Sequence, residues 1–275
     1  MIGMIVGANG RIGRVVSGRL PKKKVITISA TEILRLTDSE INALGVDLRR
    51  RSIKWIMNCA GYTEMNSSRI NAGLSKRFNF EVVERLVRLC IVGQISLFQL
   101  STDLCNLMEY PSHQLTLSDL YHHYKMRSEL LIRGSGIDAL IARFGWPYLM
   151  DESWIGQHIT MGKIDDLTIT NADDARYPTD IDDLSNLFYY LLNQTDFNGS
   201  KIINIGSPQI IYKGEYIYRL ISKFEKYRSA SIVCQSRRWG DVHNKTAPLP
   251  SNIRNITTFG SYVFENKIMD ISLSC

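Results

Sequence analysis

The chain has 275 residues, 44% hydrophobic and 22% charged, the balance of an ordinary folded protein and not of a disordered or fibrous one. Its net charge of +6 comes from 33 basic and 27 acidic residues, scattered apart from Lys22–Lys24 and Arg49–Arg51, so the concentrated basic face of a nucleic-acid binder is missing. The five cysteines are far apart without a CxxC pair, and His113, His122, His123, His158 and His243 lack ligand spacing, which argues against a disulfide framework or a metal site.

No apolar stretch is long enough to cross a membrane, and the N-terminus has no charged leader region. A cytoplasmic protein is expected, with no metal, no nucleic acid and no membrane partner. Its mild positive charge suits an anionic nucleotide.

Residues 1–6 (MIGMIV) form a short apolar run that ends in glycines, as a buried parallel strand entering a helix does. The next segment, Gly7-Ala8-Asn9-Gly10-Arg11-Ile12-Gly13, gives GxxGxxG between that strand and a helix over 11–20. Glycines there let the backbone turn tightly and approach a pyrophosphate, while the free N–H groups and dipole of the helix terminus favour its charge. No GK[ST] follows, so a nucleoside-triphosphate P-loop is excluded, and no GxSxG serine elbow occurs.

A second strand is read at 25–28. An acid at its end would hold the ribose 2′-hydroxyl, but the sequence runs Ile28-Ser29-Ala30-Thr31-Glu32. That gap and the nearby Arg11 lean toward NADPH, with Glu32 placed to favour NADH if it reaches round. A polar helical stretch leads to a third strand at 54–58, and a helix over 78–92 follows, with Val82, Val83, Leu86, Leu89 and Cys90 at helical spacing.

The strand 95–100 is closed by Ser101-Thr102-Asp103, and ligands bind at the carboxyl ends of strands in such sheets. A hydroxyl there can hydrogen-bond a substrate carbonyl. The helix 121–133 carries Tyr121 and Lys125 four residues apart, hence on one face. A phenol of ordinary pKa about 10 needs roughly 4 kcal/mol of preferential phenolate stabilisation to act near neutrality, and an adjacent ammonium can supply much of that in a partly dry cleft.

A strand at 139–143 (ALIAR) completes repeated βα units, which imply an α/β fold with a doubly wound parallel sheet. Beyond Gly145 prolines punctuate short mixed segments, with a helix at 181–192 and a strand at 201–205. Trp55, Trp154 and Trp239 read as packing residues.

The glycine loop, Asn58-Cys59-Ala60-Gly61-Tyr62-Thr63, Ser101-Thr102-Asp103 and residues 121–129 (YHHYKMRSE), in this order, resemble the extended short-chain dehydrogenases/reductases, and among them most of all the dTDP-4-dehydrorhamnose reductase family. Arg143-Phe144-Gly145-Trp146, Tyr177-Pro178-Thr179 and Ile253-Arg254-Asn255 are similar to later segments of that family, so the likeness covers nearly the whole chain.

The resemblance implies a Rossmann-type core over residues 1–147, rejoined by 179–205, with a smaller substrate-binding lobe from 148–178 and 206–275. It implies hydride transfer from NADPH (or NADH) to C4 of a nucleotide-diphospho-4-keto-6-deoxy sugar, in deoxysugar biosynthesis for surface polysaccharide. Tyr121 protonates the alkoxide, Lys125 holds the cofactor ribose and tunes Tyr121, and Thr102 orients the carbonyl. Asp103 and Trp146 fall where the family contacts substrate. Gly7, Asn9, Gly10, Arg11, Ile12, Gly13, Ala60, Gly61 and Tyr62 fall where it binds the cofactor, and a homodimer is a family-level expectation.

The chain departs from the family at Ser29, at Arg35-Leu36-Thr37-Asp38 on the adenine side, at Leu104 where a tyrosine is usual, and in a short 151–177 segment. These departures keep open a non-catalytic nucleotide-binding regulatory subunit of the same fold. They equally leave room for another nucleotide-sugar enzyme, an epimerase or a dehydratase. Dehydratases generally add an acidic pair beside the catalytic threonine, whereas here Leu104 follows Asp103 and Glu109 is far along.

Overall fold

In the computed structural model the described residues are 2–21, 25–63, 71–105, 120–145, 147–148, 160–161, 166–170, 175–176, 178–191, 198–206, 211–212 and 231–235. Two compact units divide the chain, Met1–Phe144 with Ile181–Ile205 and Gly145–Asp180 with Gly206–Cys275.

In the first unit the chain runs β1 (Ile2–Val6), α1 (Arg11–Arg19), β2 (Val25–Ile28), α2 (Ala30–Arg35), α3 (Asp38–Arg50), β3 (Ile53–Asn58), α4 (Ala72–Lys76), a π-helical turn (Arg77–Glu81), α5 (Val82–Gly93), β4 (Ser96–Thr102), α6 (Leu120–Gly134) and β5 (Ala139–Phe144). The second unit contributes β6 (Pro147–Tyr148) parallel to β10 (Thr179–Asp180), and β9 (Ala175–Arg176) antiparallel to β12 (Ile211–Tyr212). Its β8 (Asp166–Thr170) lies between β7 (Thr160–Met161), antiparallel, and β13 (Ser231–Gln235), parallel. Between β10 and β12 the chain returns to the first unit through α7 (Ile181–Leu191) and β11 (Ser200–Ile205).

The main sheet has six parallel strands in the order β11-β5-β4-β3-β1-β2. Because both faces are covered, its strands are continuous apolar runs whose residues alternate between two packing layers. Met4, Val6, Ile56, Leu97 and Ile141 join Ile33, Ile41, Leu86, Leu89 and Ile132 in one layer, which includes residues of α2, α3, α5 and α6. In the other layer, Phe98 meets Trp55 and Phe188 of α7 edge to face, at centroid distances of 6.5 and 6.2 Å. Trp55 also explains Gly3, where a Cβ would stand 2.0 Å from the indole.

Two elements differ from the sequence reading. The strand read at 95–100 continues through Thr102, because β5 pairs with it as far as Thr102↔Phe144 and the Asp103 N–H still reaches the Phe144 carbonyl at 3.2 Å. The helix read from 78 begins instead at Ala72 and passes through the π-helical turn before α5. At that turn the Ser128 hydroxyl of α6 donates to the Asn79 carbonyl at 2.6 Å, so an acceptor inside the turn is satisfied from outside the helix.

Candidate active site

The strand order reverses direction at the β1/β3 junction, which makes it the topological switch point where ligands of such sheets bind. Both loops that leave it are held by backbone bonds: the Gly7 N–H to the Ile28 carbonyl at 3.1 Å, the Gly10 N–H to the Gly7 carbonyl at 3.0 Å, and the Cys59 N–H to the Val6 carbonyl at 2.9 Å.

Gly7 has a φ of +77° and lies against Ala60, and a Cβ on Gly13 would stand 2.2 Å from the Gly7 carbonyl oxygen. The loop is therefore closed to side chains at these positions. Gly10 caps α1 without a side-chain bond, and no acid stands in the first turn of that helix. An unneutralised helix terminus at the end of a parallel strand fits the pyrophosphate of a dinucleotide. Asn9, Gly10 and Arg11 are exposed, and the Asn9 carbonyl accepts from Arg14 at 3.0 Å.

At the end of β2, Ser29 is the N-cap of α2 and forms a reciprocal capping box with Glu32. The Glu32 carboxylate accepts from the Ser29 N–H at 2.8 Å, and hydrogen bonding to the Ser29 side chain and then to this N–H holds its carboxyl below the usual range. Glu32 thus serves its own helix terminus.

Helix α6 presents Tyr121 and Lys125 one turn apart, with Lys125 Nζ 5.9 Å from the Tyr121 ring centroid. Lys125 is 5% exposed, and its ammonium donates to the Leu100 carbonyl at 3.1 Å. Burial brings its pKa down to about 8, with Cys105, Glu129 and Cys59 acting in the opposite direction. The Cys59 thiol is itself pushed up to about 12 by burial, so at neutral pH it sits beside the lysine as a neutral group. A Cβ on Gly61 would come within 3.3 Å of Lys125 Nζ, which places the loop after β3 directly against the lysine.

Thr102, the last residue of β4, is 6% exposed; its hydroxyl accepts from the Leu104 N–H and donates to Asp103, both at 3.3 Å. Tyr121, Lys125 and Thr102 thus belong to adjacent elements of one unit, since α6 packs on β4.

Several supporting residues have no site role read from the sequence, although Asn58, Ser101, Glu129 and Arg143 lie inside the segments that resemble the family. Asn79 binds both main-chain groups of Tyr62, accepting from its N–H at 3.0 Å and donating to its carbonyl at 2.8 Å. Asn58 receives the Ala60 N–H at 3.0 Å and donates to Gln99 at 2.9 Å. Glu129 and Arg143 form a buried bidentate pair, 1% and 3% exposed at their side chains, and the Ser101 hydroxyl also donates to Glu129. A signal existed for this pair: Glu129 continues the i, i+4 row of Tyr121 and Lys125, and Arg143 is a charge inside an apolar strand.

Trp146, Tyr177 and residues 253–255 lie outside the described residues. Among the described residues no helix is long and apolar enough to cross a membrane.

The family model described as RmlD substrate binding domain matches residues 1–202. No curated protein matches the chain. Among solved structures, a dTDP-4-dehydrorhamnose reductase from Clostridium acetobutylicum superposes with a TM-score of 0.69 at 18% identity, over 86% of this chain and 84% of that one. The dTDP-4-dehydrorhamnose reductase of Bacillus anthracis in complex with NADP gives 0.70 at 18% identity, over 86% and 85%. MoeE5 in complex with UDP-glucose and NAD gives 0.65 at 17% identity, over 88% of this chain and 87% of that one. At these identities the likeness establishes a shared fold.

Proposed function

Because the chain belongs to the RmlD substrate binding domain family, we propose that it is an NADPH-dependent oxidoreductase that reduces the keto group of a nucleotide-diphospho-4-keto-6-deoxy sugar, in the cytoplasm, for surface-polysaccharide biosynthesis. The observation that carries this reading is the buried Lys125 ammonium, one helical turn from Tyr121, bonded to the Leu100 carbonyl and lying against the Gly61 loop that follows β3.

Gly7, Asn9, Gly10, Arg11, Ile12 and Gly13 hold the pyrophosphate, and Ala60, Gly61 and Tyr62 line the nicotinamide half. When bound, the nicotinamide supplies a hydride to the sugar carbon. Thr102 donates a hydrogen bond to the keto oxygen and so orients it. Tyr121 gives its phenolic proton to the alkoxide that forms there, and the Lys125 ammonium stabilises the phenolate left behind while bonding the ribose hydroxyls. Asp103, beside Thr102 at the end of β4, contacts the sugar. The capping of Glu32 by Ser29 leaves β2 without a carboxylate aimed at a ribose 2′-hydroxyl, which supports NADPH over NADH. A homodimer is the expected assembly.

The test is to follow nicotinamide absorbance with NADPH or NADH and dTDP-4-keto-6-deoxyglucose, with and without a 3,5-epimerase, alongside Tyr121→Phe. Cofactor oxidation that disappears in Tyr121→Phe is the expected result. Cofactor binding without turnover of this or any other nucleotide 4-keto sugar overturns the reading in favour of a regulatory subunit. Isomerised or dehydrated sugar with no net cofactor oxidation overturns it in favour of an epimerase or a dehydratase.

A further inference from the structure

Glu129 stands one turn beyond Lys125 and two beyond Tyr121 on α6, and its buried carboxylate is gripped from two strands at once. Arg143 of β5 donates from Nε at 3.1 and 3.0 Å and from Nη2 at 2.6 Å, and Ser101 of β4 donates from its hydroxyl. Ser101 and Arg143 are direct partners in the β4–β5 register, and Ser101 is the residue before Thr102. One carboxylate therefore ties the helix that carries Tyr121 and Lys125 to the strand end that carries Thr102.

We infer that Glu129 is a positioning residue: together with Ser101 and Arg143 it sets the spacing between the Tyr121/Lys125 face of α6 and the Thr102 hydroxyl, and it places a buried carboxylate one helical turn from the Lys125 ammonium. The kinetic side of this inference rests on the proposed reductase activity, whereas its cofactor-binding side does not.

The chemistry of the pair points beyond stability. Burying a carboxylate and a guanidinium costs desolvation, and an apolar pair of similar volume often serves stability as well or better. A charged fork adds direction, because its planar bonds fix the angle as well as the distance between helix and strands. Burial lowers the Lys125 pKa to about 8, while Cys105, Glu129 and Cys59 raise it. Cys59 and Cys105 are thiols held neutral by burial, and Glu129 is the carboxyl group among these neighbours. Tyr121 is the further titratable neighbour on the same helix, and Arg143 is the cation paired with Glu129.

The experiment compares wild type, Ser101→Ala, Glu129→Gln and Arg143→Lys in the full chain. It reads NADPH affinity by fluorescence across about pH 6 to 10, melting temperature, and kcat and KM on a nucleotide 4-keto sugar. Ser101→Ala removes one hydroxyl and is expected to bind NADPH within about twofold of wild type, losing about tenfold or more in kcat with KM little changed. Glu129→Gln is expected to shift the alkaline limb of NADPH binding and of kcat to lower pH by about half a unit or more. Arg143→Lys, which keeps the charge but loses the fork, is expected to lower kcat without that shift.

Should Glu129→Gln fail to fold, the kcat of Ser101→Ala decides the positioning role. Wild-type kcat and unshifted limbs in Ser101→Ala and Glu129→Gln, even with lowered melting temperatures, overturn the inference. Absence of wild-type turnover on any sugar counts against the reductase reading, and the NADPH-binding limb then decides the role of Glu129.

Discussion

The Lys125 ammonium and the Leu100 carbonyl, 3.1 Å apart, join helix α6 to strand β4 through a charge with almost no access to water. Burial lowers the lysine to about 8, so its proton is lost within the range of an ordinary assay. As pH rises through about 8, the field that favours a Tyr121 phenolate disappears. The value of kcat/KM for sugar reduction is therefore expected to fall on that alkaline limb. A pH–rate profile that stays flat to about pH 10 would contradict a working role for Lys125.

The same burial has a cost in stability with a definite sign. The folded-state pKa of about 8 lies below the ordinary 10.5, so between those values the unfolded chain holds a proton that the folded chain has released. The lysine therefore contributes a rise in stability with pH across that window, opposed above about pH 9 by the buried thiols Cys59, Cys90 and Cys105, and at neutral pH the buried ammonium costs about 3 kcal/mol. Lys125→Met keeps an unbranched apolar stem, and the Leu100 carbonyl remains satisfied by Gln99 Nε2 at 2.6 Å. Thermal melts at pH 7 should show the variant more stable than wild type, its advantage shrinking from pH 8 to 10.5, while turnover falls by about 10²-fold or more.

Two glycines of α1 should respond oppositely to alanine. At Gly13 the new Cβ would stand 2.2 Å from the Gly7 carbonyl oxygen, so the loop must shift, and NADPH affinity should fall by about tenfold or more. At Gly18 nothing lies within 4 Å of the new Cβ, and the exchange should add about 0.5–1 kcal/mol of helix stability without touching the cofactor. Denaturant melts beside NADPH titrations of both variants separate the two effects.

The parallel sheet was readable in the sequence because strands buried on both faces are written as continuous apolar runs, and β1 (IGMIV) and β5 (ALIARF) are two such runs bounded by polar or glycine residues. The pattern misplaced the end of β4, since Ser101 and Thr102 are polar residues kept in the strand by backbone pairing with β5. Asn79 was hidden for a related reason: a π-helical turn alters the hydrogen-bond ladder without leaving a mark in side-chain periodicity, so an amide bonded to both main-chain groups of Tyr62 looks like any helix residue. Glu32 was ambiguous because a carboxylate three residues after a serine fits either a ribose ligand or a capping box, and only the 2.8 Å bond to the Ser29 N–H decides between them.

That capping box leads to a test of cofactor choice at Ser29. The Ser29 side chain accepts from the Glu32 N–H at 3.1 Å, and aspartate is as good an N-cap as serine, so Ser29→Asp should leave α2 and the melting temperature essentially unchanged. It would place a carboxylate at the end of β2, where a ribose 2′-hydroxyl is welcome and a 2′-phosphate is repelled. NADPH affinity should drop by about tenfold or more and NADH affinity should rise, as read by fluorescence titration of each cofactor. An unchanged ratio of the two affinities would mean that the end of β2 does not face the adenosine ribose, and the preference for NADPH would have to arise elsewhere in the site.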